Sequence, residues 1–405
     1  MINIRIYLDN GSTTQVDKSV LKAMTPYLSK NYGNPSSLHG FGRDARNAIE
    51  QARETIAKKL GAKFEEVIFT ASGTESDNLA IKGVAYANKK KGKHIITSSI
   101  EHSAVYNSCK KLESEGFKVT YLPVDEEGFV DLKRLEKEIK KDTILVSIIH
   151  ANNEIGTIQN IREIGDICKK KKVYFHTDAV QSFTKVPINV EHTNIDLLSI
   201  SAHKIHGPKG VGVLYVKKGT NIQKLIDGGP HEFDMRAGTE NVASIVGFGK
   251  AVELSLTPGE IENMKNLRNF LIENLLKIPN TKLNGSKNKR ICNNVNISFK
   301  GVEGESILMH LDSRGIAVST ASACSSTSLK PSRILLAIGL TPEMAHGAIR
   351  FTISKYTTKK EIVQTVKQVE DVARYLRGMS PLVRKSERDI FKKSKGRVIK
   401  SKECW

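Results

Sequence analysis

The stretch DLLSISAHKIHGPKGVGVLYV, Asp196 to Val216, sets two apolar runs on either side of a turn rich in Gly, Pro and Lys. Asp196 to Ser201 has the length and composition of a buried strand, and Val211 to Val216 resumes the sheet. Ser201-Ala202-His203-Lys204 closes the first run, so Lys204 falls where a strand gives way to a tight loop. Desolvation at a strand end disfavours the charged form of a lysine and leaves its amine nucleophilic near neutral pH. A Schiff-base lysine needs that property. Taken by itself, Lys204 is equally a surface lysine in a lysine-rich chain.

Runs of the same kind recur upstream as VIFT (67–70), HIITS (94–98), KVTYL (118–122), ILVSIIH (144–150) and VYFHTD (173–178), which makes seven in all. Helical patterns at Glu75–Lys89, Ala104–Glu115, Leu132–Lys140 and Ile161–Lys170 separate most of them. Apolar strands alternating with helices predict an α/β fold, a mostly parallel seven-stranded sheet covered on both faces. Ligands of such sheets sit at the carboxyl ends of the strands. Ahead of the alternation, IRIYL (4–8) reads as a strand, Asp9-Asn10-Gly11 as a turn, 16–30 as mildly helical and 32–42 as a Gly/Pro/Ser loop. Asp44 to Leu60 reads as an amphipathic helix stopped by Gly61.

The pattern changes after Thr257-Pro258-Gly259. A helix over 261–277, a strand over Asn294–Phe299, a helix from Glu305, an irregular loop over 314–330, a strand near Ile349–Ile353 and a helix over 359–376 describe a smaller α+β domain. The expected division is a large domain, 15–258, and a small domain of 1–14 with 259–380 that carries the loop 314–330. A Lys/Arg-rich tail without periodicity follows at 381–405.

The 405 residues are 39% hydrophobic and 26% charged, enough for a large core and two domains. Cys109, Cys168, Cys292, Cys324 and Cys404 form no CxxC pair, which argues against a disulfide framework or a zinc site. With no signal-peptide pattern at MINIRIYLDNG and no apolar run of bilayer length, the expected compartment is the cytoplasm and no membrane partner is expected. The net charge of +20 is spread over diffuse lysines such as KKLGAK, ANKKKGKH and CKKKKV. No nucleic-acid motif accompanies it, so direct nucleic-acid binding is not expected.

Several strand ends carry residues suited to chemistry. Ser72-Gly73-Thr74-Glu75 opens a helix after VIFT, where backbone N–H groups bind anions, although Ser72 or Thr74 also suits a plain helix cap. Asp178 ends VYFHTD; a carboxylate there stabilises a cationic ring nitrogen or caps the next helix, and Gln181 follows on the same face. His102 after HIITS suits stacking on a flat ring and moving protons, or sits satisfied in the core. His203 and His206 have H-x-x-H spacing, but with no acidic third ligand nearby no metal is expected. Cys324, in STASACSS (319–326), lies among small polar residues in what reads as an exposed mobile loop. Arg350 suits a substrate carboxylate or a structural ion pair.

The ordered set SGTESDNLAIKG, EHSAV, HANNEIG, HTDAVQS, SAHKIHGPKG, RAGTEN, SACSS and IRFTIS resembles the cysteine desulfurases of aminotransferase class V, over roughly residues 5–380. Within that family it is most similar to the group serving iron–sulfur cluster assembly. The resemblance implies the fold of type I pyridoxal-phosphate enzymes, with pyridoxal 5'-phosphate as cofactor. It implies Lys204 as the cofactor-holding lysine and base, and His102 stacked on the ring and shuttling a proton. Asp178 would lie at the ring nitrogen, Gln181 at the phenolic oxygen, and Thr74, Ser201 and His203 at the phosphate. Thr239 would reach the phosphate of a neighbouring subunit, which implies a homodimer. Asn34, Asn153 and Arg350 would position L-cysteine, with Asn153 also near the cofactor and Arg350 on the substrate carboxylate. Cys324 would take the sulfur as a persulfide, leaving alanine, and would be at most a transient ligand of a nascent iron–sulfur cluster. The acceptor would be a cluster scaffold protein, with tRNA thiolation enzymes as further acceptors. A selenocysteine lyase, or another class V lyase or aminotransferase, shares the fold; an aminotransferase needs no thiol such as Cys324. Ala321 and Cys292 stand where the family usually has glycine and proline.

Overall fold

The seven apolar runs form one sheet. In the computed structural model, which describes residues 5–320 and 331–379, the strands in chain order are β1 (Ile6–Tyr7), β2 (Val67–Thr70), β3 (His94–Ser98), β4 (Lys118–Leu122), β5 (Thr143–Ser147), β6 (Tyr174–Asp178), β7 (Leu197–Ser201), β8 (Gly212–Val216), β9 (Thr281–Leu283), β10 (Asn294–Phe299), β11 (Ile316–Ala317), β12 (Ser319–Thr320) and β13 (Ala348–Thr352). The chain divides into two units. The larger holds residues 10–261 and 285–291; the smaller holds the described parts of 5–9, 262–284 and 292–379.

The larger unit orders its strands β2-β8-β7-β6-β5-β3-β4. Only β8 runs against its neighbours, pairing antiparallel with β2 and β7. The stretch 202–211 that joins β7 to β8 is too short for the helical crossover a parallel neighbour requires. Side chains alternate along each strand, so the sheet buries two separate cores. On one face Phe69, Val146, Phe175, Leu198 and Val213 meet helices that supply Ile56, Ile164 and Phe248. On the other, Ile68, Ile95, Leu145, Leu197 and Leu214 meet Leu79, Val84, Val105 and Leu112.

One helix, Val242–Glu253, is not marked by the alternation of patterns. Gly247 and Gly249 weaken its helical signal. Packing explains both glycines: a Cβ at Gly247 would lie 2.6 Å from Met24 Sδ, and one at Gly249 would lie 2.8 Å from the Ala52 Cα. The helix read from Asp44 starts earlier, at Gly40, with His39 Nδ1 accepting the Gly42 N–H at 3.3 Å. That signal was hidden inside a Gly-rich loop pattern.

Glu232, Phe233 and Asp234 hold three consecutive left-handed conformations, φ +47°, +57° and +62°. Side chains disfavour this region by roughly 1–2 kcal/mol per residue. Buried Arg53 holds the segment in place: its Nη1 and Nη2 donate to Glu232 Oε2 and Oε1 at 2.8 and 2.7 Å, and it also donates to the Val67 carbonyl. Glu232 Oε2 further accepts the Phe69 N–H at 2.7 Å. The guanidinium lies 4.8 Å from the Phe69 ring centroid and 4.9 Å from that of Phe233.

The smaller unit has an antiparallel sheet, β12-β13-β10-β9, and the parallel pair β1-β11. The first residues of the stretch read as an irregular loop thus form β11 and β12, because Ser319 and Thr320 pair with Arg350 and Ile349 of β13. Residues 321–330, with Ala321 and Cys324, lie outside the described residues, as do 380–405. Buried Arg377, on the helix Lys359–Met379, donates to the carbonyls of Lys300 and Asn280, each at 3.1 Å.

Arg53→Met leaves Glu232 buried without its cation and should cost roughly 3–5 kcal/mol of stability. Urea unfolding measures this directly. A loss below about 1 kcal/mol would mean that the pair does not hold the strained segment.

Candidate active site

The strands β2, β3, β5, β6 and β7 end on one side of the sheet, and each end delivers a polar group. From β2 the chain enters the helix Gly73–Asn88, capped by Ser72 Oγ accepting the Glu75 N–H at 3.1 Å. The cap therefore belongs to Ser72, and Thr74 is exposed at the helix start. The first amides of any helix lack intrahelical acceptors and favour an anion. Gly73 also makes room: a Cβ there would meet Val180 Cγ2 at 2.6 Å and Ser201 Cβ at 3.6 Å. The helix start therefore abuts the ends of β6 and β7. Ser201 Oγ is buried with no hydrogen-bond partner. A buried hydroxyl without a partner is costly unless a ligand completes it.

Asp178 ends β6 and is 4% exposed. Its Oδ1 accepts the Val180 N–H at 2.9 Å, and the segment that follows is a turn rather than the helix expected for a cap. Burial raises its pKa, opposed by the charges of His102 and Lys204 and by that N–H. His102 caps the helix Ser103–Ser114, its Nδ1 accepting the Ala104 N–H at 3.2 Å. In the neutral ring the proton therefore sits on Nε2. One ligand-type atom each from His102, Asp178 and Asp77 lie within 4.8 Å of one another, so these residues share one recess.

Lys204 follows β7 in a short 3-10 turn. Its Nζ donates to the carbonyls of Gly11 and Ser12 at 2.5 and 2.7 Å. Gln181 Nε2 donates to the same Gly11 carbonyl at 2.9 Å. Lys185, 8% exposed, donates from Nζ to the carbonyls of Gln181 and Lys204, both at 3.1 Å. His203 Nδ1 lies 3.3 Å from Thr13 Oγ1, and His206 Nδ1 2.9 Å from the Gln15 carbonyl, so the H-x-x-H pair is engaged with the N-terminal segment. Burial lowers the His203 pKa to about 4, helped by the charges of Lys204, Lys209 and Lys185.

For the remaining sequence-read residues no role rests on a contact to this cluster. Asn153 is buried after β5. Asn34 is exposed and its Oδ1 accepts the Ser36 N–H at 2.9 Å. Thr239 is exposed and lines a cavity of about 180 Å³ with Thr70, Ala71, Gly210 and Arg236. Arg350 belongs to the smaller unit, where its Nη2 donates to Asp9 Oδ1 at 3.0 Å, an ion pair of the kind anticipated as the structural alternative.

Sequence reasoning missed Asp77, Lys185 and the carbonyls of Gly11 and Ser12. Asp77 had a signal: with Gly73, Ala80 and Val84 it falls on the buried face of its helix, where a carboxylate is out of place.

The recess suits a phosphorylated pyridine: Ser201 Oγ lacks a partner, Gly73 leaves space at a helix start, and Asp178 offers a buried carboxylate near a lysine amine. A family model described as aminotransferase class V matches residues 6–365. A cysteine desulfurase, IscS, of Dictyoglomus turgidum is 56% identical over 96% of this chain and 99% of its own. One of Methanosarcina thermophila is 52% identical, covering 96% of each chain. The solved structure of a NifS-like protein superposes with TM-score 0.87 at 40% identity, covering 92% of this chain and all of that one. The chain therefore belongs to the class V aminotransferases, a pyridoxal-phosphate-dependent family, and within them to the cysteine desulfurases.

Proposed function

We propose that this cysteine desulfurase holds pyridoxal 5'-phosphate on Lys204, converts L-cysteine to L-alanine, and carries the sulfur away as a persulfide on Cys324. The acceptor is a scaffold protein for iron–sulfur clusters, in keeping with the relatives named IscS. The observation that carries the reading is the recess itself: buried Asp178 with the charges of His102 and Lys204 acting on it, next to the unpartnered hydroxyl of Ser201.

When bound, the cofactor supplies an electron sink for the substrate's Cα. Asp178 holds the proton of the ring nitrogen in place, and Gln181 donates to the phenolic oxygen. Thr74, the first amides of its helix, Ser201 and neutral His203 receive the phosphate. Lys204 Nζ must first release the Gly11 and Ser12 carbonyls; once displaced by substrate it takes the Cα proton. His102 stacks on the ring and moves a proton through Nε2. Arg350 binds the substrate carboxylate, with Asn34 and Asn153 orienting the substrate.

The sulfur step balances without an outside oxidant. The Cys324 thiolate forms an S–S bond as the substrate's Cβ–S bond breaks, and the electron pair of that bond stays on carbon and is protonated. A thiol or other reductant then releases sulfide, or the acceptor takes the sulfur. The enzyme works as a cytoplasmic homodimer. Exposed Tyr32, Leu38, Phe41 and Phe233 support a self-association face, and exposed Thr239 supports delivery to a neighbouring subunit's phosphate. No helix among the described residues is long and apolar enough to cross a membrane.

Lys204→Ala is expected to abolish the visible band of the reconstituted protein and all alanine formation; a variant retaining both would remove Lys204 from its role. Cys324→Ser is expected to keep that band while alanine and sulfide formation fall by at least about a thousandfold, the scale of losing a nucleophile. Sulfide release by Cys324→Ser at the wild-type rate would assign the sulfur to another group.

A further inference from the structure

Behind Asp178 lies a second carboxyl that the mechanism leaves unused. Asp77, on the helix Gly73–Asn88, is 1% exposed and its Oδ1 has no hydrogen-bond partner. It lies 3.6 Å from His176 Nε2 and shares the recess with Asp178 and His102. His176 Nε2 is in turn 3.0 Å from Ser199 Oγ, and its Nδ1 2.8 Å from Ser147 Oγ. His176 and Asp178 are two apart on β6 and project to the same side. A polar chain thus runs beneath the recess through Asp77, His176, Ser199 and Ser147, all of them buried.

We propose that Asp77 is a positioning residue for Asp178: a second buried carboxyl that keeps its proton, so that Asp178 alone presents negative charge to the cofactor's ring nitrogen. The inference rests on the cofactor reading above. Two carboxylates this close in a dry recess do not both ionise. The partners decide which one does. Asp178 has the Val180 N–H and the charges of His102 and Lys204. Asp77 has the Ser199 hydroxyl as its one favourable partner, while Asp178 and Glu101 repel a charge on it, and burial pushes its pKa well above the usual carboxylate range. His176 does not act as a counter-cation, because burial lowers its pKa to about 3.

A proton on Asp77 removes the repulsion that would otherwise drive Asp178 to protonate. An ionised Asp178 is what a protonated ring nitrogen needs opposite it. Glu101 has partners of its own, its Oε1 accepting from Ser98 Oγ at 2.5 Å and from the Ile149 N–H at 3.0 Å, and its charge adds to the repulsion that keeps the proton on Asp77.

The test uses the full chain in three forms: wild type, Asp77→Asn, which imitates the neutral acid, and Asp77→Leu, which has no polar atoms. Infrared spectra at neutral pH are expected to show a protonated-carboxyl C=O band in the wild type that Asp77→Asn lacks. Apoprotein titrated with pyridoxal phosphate and followed by visible absorption should give equal affinities for wild type and Asp77→Asn, with Asp77→Leu weaker by roughly tenfold. A spectrum unchanged by Asp77→Asn, or wild-type cofactor affinity in Asp77→Leu, overturns the proposal. Should Asp77→Leu fail to fold, Ser199→Ala serves: it is expected to shift the frequency of the Asp77 band, and an unmoved band counts against the arrangement. A wild-type protein that shows the Asp77 band but takes up no cofactor overturns the cofactor reading, and with it the role given to Asp77.

Discussion

Two buried carboxyls, Asp77 and Asp178, share one recess, and two negative charges this close and this buried disfavour each other. Three other histidines of the larger unit are kept neutral by burial: the His176 pKa falls to about 3, and those of His150 and His203 to about 4. Hydroxyls rather than charges satisfy the sheet interior, as with Ser147 and Ser199 on His176. In a low-dielectric interior such a network is stable when satisfied and costly where one partner is missing. Two of the buried polar atoms without a partner among the described residues, Ser201 Oγ and Asp77 Oδ1, lie at this end of the sheet.

A second constraint works through backbone rather than charge. The segment from Gly11 to Gln15 lies far in sequence from β6 and β7, yet its carbonyls and hydroxyls meet Lys204, Gln181, His203 and His206. Thr14 alone donates to the His203 carbonyl and accepts the His206 N–H. His206 is held at φ +64°, a conformation that costs energy for a residue with a side chain. Lys185 ties the carbonyls of Gln181 and Lys204 together from below. Gln181 and Lys204 are thereby fixed to each other by backbone contacts, which is what preorganisation requires.

These features differ in how plainly they were written in the chain. The strands were legible because each is a short apolar run bounded by turns, and five-residue runs such as HIITS and KVTYL appear in the structure unchanged. Lys204, Asp178 and His102 were legible because strand ends in a parallel sheet converge. Long-range backbone partners left no local mark: nothing in Asn10-Gly11-Ser12 distinguishes a carbonyl that receives a lysine from one that faces water. The helix Val242–Glu253 was hidden because its glycines serve close packing, which periodicity does not register. Asp77 was visible only as a charge on an apolar helix face.

The buried cysteines show why sulfur chemistry needs a residue outside the cores. A thiol takes up sulfur as its thiolate and must be reached by substrate and acceptor. Cys109 and Cys168 are fully buried; burial pushes the first up to about 12 and raises the second further. Cys292, 3% exposed, is closed off in the smaller unit. None of these three is open to substrate and acceptor. Cys324 and Cys404 remain, both outside the described residues. Of the two, only Cys324 sits in the small-residue run STASACSS, whose first two residues form β12. Cys324, in its run of small residues, is left as the thiol that suits the proposed sulfur step.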